Sequence, residues 1–218
     1  SIKKSNLVGI RSSFKNLPED KYLKFADKNF RNRRLAKILF MNNKFYNIDN
    51  TDFKQNKVQN RYLGGVNRNF QPINTRIVNK INKIVKENFI KIINSKKIKF
   101  GYHQIRITCG ENYVGYPVPE GWHKDGFDFV IVLNIVSKNI MGGTTRLKTN
   151  MNLDKKDDFA EFLKKGEFIF FDDRKYNHYT DPITIGKERK KSFINTVIAS
   201  RYHRGNRNML FKGNYVNS

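Results

Sequence analysis

The hydrophobic positions of this 218-residue chain change period near its middle. Between Asn74 and Asn94, Ile77, Ile81, Ile84, Val85, Phe89 and Ile92 recur at three-four spacing opposite a Lys/Asn face. That spacing predicts an amphipathic helix packed on the outside of a sheet. After Ser95-Lys96-Lys97 the pattern turns to alternation. Residues 98–108 place Phe100, Tyr102, Gln104, Arg106 and Thr108 on one side of a strand, and 127–136, 144–149, 167–171, 178–183 and 191–200 read as further strands. Short strands joined by Gly, Asn and Asp turns predict a mainly β chain with flanking helices and a jelly-roll or barrel core.

Upstream the pattern is weaker. Leu17-Pro18-Glu19-Asp20, followed by Tyr22, Leu23 and Phe25, predicts a helix start, and Leu35–Phe40 a strand. Residues 61–73 form a loop around Gly64-Gly65, and Asp157–Leu163 predicts one helical turn. Residues 41–60 carry no readable period. The chain length predicts one domain: 1–97 a helical or mixed part packed on the barrel, 98–200 the core, 201–218 a polar tail or cap.

Composition narrows the function classes. The 18 Phe and 10 Tyr supply large apolar area to a core that is otherwise modest at 38% hydrophobic residues. A single cysteine, Cys109, excludes an internal disulfide and reads as a small strand hydrophobe. No apolar run approaches a membrane span and no signal-peptide core is visible, so a soluble, cytoplasmic protein is expected. The net charge of +24 raises a nucleic-acid partner. The lysines, however, are spread through the chain alongside Asn and Ile, as in Asn79-Lys80-Ile81-Asn82-Lys83-Ile84, which favours background composition over a dedicated polyanion surface. The run Arg31-Asn32-Arg33-Arg34 reads, on the same logic, as a solvated face in preference to an anion contact.

The candidate chemistry sits in Pro119-Glu120-Gly121-Trp122-His123-Lys124-Asp125-Gly126, just before the apolar run Val130–Leu133. In extended chain, residues two apart share a side, so His123 and Asp125 aim an imidazole and a carboxylate at one point. A second histidine would complete a facial iron triad that leaves positions open for a co-substrate and oxygen. His103, His178 and His203 are available, and His178 is the best placed, after a short apolar strand and an acidic turn.

Several motifs agree with one family. The chain resembles the 2-oxoglutarate/iron(II)-dependent dioxygenases of the bacterial free L-amino-acid hydroxylase group, which includes L-isoleucine dioxygenase. The resemblance rests on Leu17-Pro18-x-Asp20-x-Tyr22 with Arg31-x-Arg33-Arg34, Gly64-Gly65-x-x-Arg68-x-Phe70-x-Pro72, and His103-Gln104-x-Arg106-Ile107. It rests further on Pro119-Glu120-Gly121-x-His123-x-Asp125-Gly126, Gly142-Gly143, and Asp172-Asp173-Arg174-x-x-x-His178. It implies a double-stranded β-helix (a cupin-like jelly roll) with Fe(II) held by His123, Asp125 and His178. It also implies 2-oxoglutarate and O2 as co-substrates, and hydroxylation of an unactivated C–H bond of a small molecule, a free L-amino acid, with release of succinate and CO2.

The distal carboxylate of 2-oxoglutarate needs a cationic partner, which the resemblance places on the last barrel strand, a dozen or so residues after the distal histidine. Arg189 is preferred there and Lys191 is the alternative, since the family's Arg-Asp pair is replaced by lysines in this stretch. Arg106, on the first barrel strand, is a candidate for the substrate or the 2-oxoglutarate carboxylate if it faces inward. Trp122 is a candidate cavity wall, Asp173 and Arg174 shape the turn before His178, and His103 reads as a hydrogen-bonded structural residue. The competing readings are a polyanion-binding barrel without turnover and an oxygenase acting on a nucleic-acid base.

Overall fold

The computed structural model describes residues 4–23, 30–57, 60, 63–93, 95–152, 155–188, 192–202 and 210–213. Helix α1 (Lys4–Ser13) and a 3-10 turn (Phe14–Asn16) come first. Strands β1 (Arg31–Met41), β2 (Lys44–Ile48), β3 (Asp52–Phe53) and β4 (Arg68–Asn69) precede helices α2 (Thr75–Asn88) and α3 (Ile90–Ile93). Then follow β5 (Lys97–Cys109), β6 (Phe129–Lys138), β7 (Ile140–Gly142), β8 (Thr145–Lys148) and β9 (Phe159–Glu161). The chain continues with β10 (Phe168–Asp172), β11 (Asn177–Thr180), β12 (Ile183–Ile185), β13 (Ser192–Tyr202) and β14 (Leu210–Gly213).

Helix α2 starts where its cap allows. The Asn74 side chain accepts the Arg76 N–H at 2.9 Å, satisfying one of the donors a helix N-terminus leaves open. Its apolar stripe, Ile77, Val78, Ile81, Ile84 and Val85, buries against Ile38, Phe100, Tyr102, Ile131 and Phe170 of the sheet, as the spacing predicts. Each such side chain contributes roughly 1.5–3 kcal/mol on burial. No described helix is long and apolar enough to cross a membrane.

That sheet is antiparallel, in the order β14-β10-β6-β13-β5-β1-β2. Alternation divides each strand between two environments. Even-numbered Ala36, Ile38 and Phe40 of β1 face the helices, while Leu35, Val130, Ile169 and Phe171 turn to the other face and pack with Phe127, Leu147 and Leu163. The smaller sheet β11-β8-β9 and the pair β12-β7 cover that second face. Two opposed antiparallel sheets enclosing a pocket are the double-stranded β-helix expected of the chain.

Four local expectations are corrected. Residues 17–23 are not helical: Glu19 bridges to Asn32 and the Asp20 N–H bonds the Arg31 carbonyl at 2.9 Å, because an unpaired strand edge and a cation lay within reach; Phe25 lies outside the described residues. The turn at Asp157–Leu163 holds β9, which gains a ladder on β8 that a lone helical turn lacks. The stretch 178–183 splits into β11 and β12, in different sheets, across Pro182, which has no N–H for a ladder. In the predicted tail, β13 runs on to Tyr202 and β14 pairs with β10.

Candidate metal centre and its pocket

His123 and Asp125 lie in the turn leading into β6, and His178 lies on β11. The backbone brings them together: the His123 N–H bonds the His178 carbonyl at 3.2 Å, and the His178 N–H bonds the His123 carbonyl at 2.9 Å. The candidate ligand atoms of His123, Asp125 and His178 all lie within 4.8 Å of one another. Nε2 of His123 is 3.4 Å from one Asp125 oxygen, and Nε2 of His178 is 3.4 Å from the other.

Asp173 holds the ligand turn in place. Its carboxylate accepts three consecutive backbone N–H groups, those of Asp125 at 3.0 Å, Gly126 at 2.7 Å and Phe127 at 2.9 Å. Gly126 has φ 84°, a left-handed conformation that side-chain-bearing residues avoid, and this is what lets the chain turn its amides toward Asp173. Downstream, a Cβ at Gly142 would collide with the Pro182 carbonyl, which explains the glycine beside β12.

The donor set fits a divalent metal ion. The carbonyl of Gly121 takes the Nδ1 proton of His123 at 2.9 Å, leaving the Nε2 lone pair facing the centre. Among the described residues, Nε2 of His178 is buried and makes no hydrogen bond, its nearest carboxylate oxygen lying 3.4 Å away on Asp125, an arrangement that is costly without an ion. Without one, burial pulls the His123 pKa down, but the Asp125 and Glu120 carboxylates outweigh it and hold it up at about 9. Burial pushes the Asp125 carboxyl up, while its contacts to the two imidazoles hold it well below the usual range. Burial and the charge of Asp125 raise Asp173.

A cavity of about 110 Å³ adjoins the triad. Its aliphatic wall includes Ile105, Ile107, Val118 and Ile194, and its polar lining includes Gln55, Glu120, Arg31, Arg33 and Arg68. Gln55 donates to Asp125 at 3.0 Å and accepts from Arg68 at 2.7 Å.

The sequence readings of these residues meet different outcomes. Arg31 and Arg33 are buried, 5% and 7% exposed, so the arginine run is no solvated face: the odd positions of β1 point into the pocket. His103 is buried and non-ligating, with Nδ1 2.6 Å from the Arg33 guanidinium. Since arginine only donates, that nitrogen accepts and the ring is neutral, in line with a pKa held far down by burial and by Arg33. Arg106 is not inward: it lies on the opposite face of β5, bonded to Asn195 at 2.9 Å and stacked 4.7 Å from the Phe193 ring, because the alternation that puts His103 in the pocket puts Arg106 outside. Trp122 stacks 5.6 Å from Tyr179, away from the cavity wall. Arg189 and Lys191 lie outside the described residues. Cys109 is buried, its thiol pushed up by burial, as a small hydrophobe.

The reading of the sequence missed Gln55, which sits in a stretch without period, and gave no role to Arg68. The signal for Arg68 was its place in the Gly64-Gly65-x-x-Arg68 motif.

Two histidines and one carboxylate on one side of a metal position, inside a double-stranded β-helix, define the class of non-haem iron oxygenases. The sequence then places the chain within it: the profile of the 2OG-Fe dioxygenase family matches residues 11–200. The chain belongs to that family and is an oxygenase that uses Fe(II), 2-oxoglutarate and O2. Solved structures agree on the fold. A bsmA homolog from Methylobium petroleophilum PM1 superposes with TM-score 0.77 at 22% identity, over 91% of this chain and 81% of that one. IDO from Bacillus thuringiensis gives 0.73 at 16% identity, over 92% and 84%. The Fe(II)/α-ketoglutarate-dependent dioxygenase TqaL gives 0.58 at 18%, over 93% and 76%. Among curated proteins none matches the sequence.

Proposed function

We propose that this oxygenase hydroxylates a free L-amino acid, with Fe(II) held by His123, Asp125 and His178. The observation that carries the reading is the cavity beside the triad. It is small, walled by aliphatic side chains, and lined by charges of both signs, Glu120 against buried arginines. That is the complement of a zwitterion with an apolar side chain. The sequence resemblance to free amino-acid hydroxylases supports the same reading.

With iron bound, the centre couples oxidation of 2-oxoglutarate by O2, to succinate and CO2, with insertion of one oxygen atom into a substrate C–H bond. The protein's own part is geometric and electrostatic. Gly121 fixes the His123 tautomer, Asp173 fixes the ligand turn, Gln55 orients Asp125, and the aliphatic wall keeps water from the reacting carbon. Arg189, or Lys191 in its place, holds the distal carboxylate of 2-oxoglutarate.

The test is succinate release from Fe(II)-loaded protein across the L-amino acids, with mass spectrometry for a product heavier by one oxygen. Stimulation by at least one amino acid, abolished in His123→Ala, is expected. Stimulation by oligonucleotides and by no amino acid would replace this reading with the nucleic-acid one that the charge of +24 raises.

A further inference from the structure

The cavity holds more positive charge than its own carboxylates neutralise. Asp20 takes Arg31 at 2.8 Å. Among the described residues, Arg33 and Arg68 have no carboxylate within the 4.0 Å of an ion pair, although they are only 7% and 2% exposed. Their polar contacts go to neutral groups, His103 at 2.6 Å and Gln55 at 2.7 Å. Among the described residues, the Nε–H of each is buried and has no hydrogen-bond partner. Phe53 organises the two cations, with the guanidinium carbons of Arg33 and Arg68 at 5.1 and 4.6 Å from its ring centre; Arg33 also lies 4.6 Å from that of Phe70. Burial and the crowding of Arg31 pull Arg33 down to about 9, and the same causes lower Arg68. Two desolvated cations with unmatched donors cost stability until an anion arrives.

The geometry points to a carboxylate clamp: Arg33 and Arg68, stacked on Phe53, bind the carboxylate of the primary substrate. The assignment rests on the amino-acid reading above for the identity of that substrate. The clamp lies apart from the start of β13, the strand that follows the residues proposed above for the co-substrate. In the sheet, Arg33 pairs with Ile105, and Ile105 with Thr196. Ser192, which follows residues 189–191, pairs with Cys109, roughly 13 Å further along β13 and two strands away from β1. A co-substrate anchored at 189–191 leaves the clamp to a second anion. Gln55 bridges Arg68 to Asp125, so the clamp and the triad line the same cavity with one side chain between them. A site built around two buried guanidiniums rejects a neutral analogue strongly, since the cations are then left unpaired.

The test is ligand-induced stabilisation of the Fe(II)-loaded protein held without oxygen, read as the shift in unfolding midpoint. 2-Oxoglutarate is added first, then each L-amino acid; the best responder is compared with its carboxamide and with its analogue lacking the amino group. The amino acid is expected to stabilise and the carboxamide not to. In Arg68→Met and Arg33→Met the concentration giving half the amino-acid shift rises at least tenfold while the 2-oxoglutarate shift persists, and Arg68→Lys recovers part of the response. Stabilisation by the amino-free carboxylates alone, lost in Arg68→Met, keeps the clamp and removes the amino-acid reading. No shift with any carboxylate beyond 2-oxoglutarate overturns the clamp. So does a variant that loses the 2-oxoglutarate shift instead, and so does an amino-acid shift that survives in both Met variants.

Discussion

Asp173→Asn is the perturbation that isolates how the ligand turn is held. One carboxylate oxygen of Asp173 accepts from Gly126 and Phe127, the other from Asp125. Asparagine keeps one acceptor. Placed best, it preserves the two bonds to Gly126 and Phe127 and turns its NH2 toward the Asp125 N–H, so a bond becomes a donor-donor clash. A lost hydrogen bond to a charged acceptor is worth about 1.5–3 kcal/mol, and the stranded buried N–H about 1–3 more. Against this, the buried Asp173 charge sits near that of Asp125, which raises its pKa, and neutral asparagine relieves that repulsion. The net expectation is a loss of about 2 kcal/mol, or roughly 4–8 °C in midpoint for a chain of this size. Metal affinity falls further, by about 10–100-fold, because the turn that aims Asp125 loosens. Asp173→Ala, which removes both acceptors, falls below asparagine on both scales. Denaturant unfolding and metal competition titration read the two effects separately. A variant that unfolds within about 0.5 kcal/mol of the parent and binds metal within about twofold would refute this account of the turn.

Three further outcomes follow from the same geometry. His123 is held at about 9 without metal, so its ionic contacts stabilise the metal-free protein fully below about 6.5 and that stabilisation is lost as pH rises through about 9. Metal binding needs the neutral ring, and at pH 7.5 it should release about one proton per ion from His123; calorimetry in buffers of different ionisation enthalpy checks this, and no release would contradict it. Gly126→Ala forces an L side chain into φ 84°, costing about 1–2 kcal/mol in unfolding experiments, and a neutral result would mean the turn tolerates another conformation. Asp20→Asn removes the carboxylate that pairs Arg31 at 2.8 Å beside two other buried arginines, and a loss of about 3–5 kcal/mol is expected; a loss under about 1 would show that this ion pair is not what holds Arg31 in place.

The parts of this protein that local sequence determined are those in which one period or one spacing carries the information. The three-four stripe of α2 has only one way to bury its isoleucines, and the alternating run of β5 only one way to divide its side chains. His123-x-Asp125 points two donors together before any partner is known. The tertiary structure decided what depends on contacts between distant segments. Only the pairing of the His123 and His178 backbones converts two segments into one donor set. Arg31-Asn32-Arg33-Arg34 is polar throughout, so no hydrophobic period marks the inward side; the register of β1 on β5 alone buries two of the four. Arg106 is the converse case, a strand arginine one step out of phase with His103, and a single step of alternation sends it to the far side of the sheet.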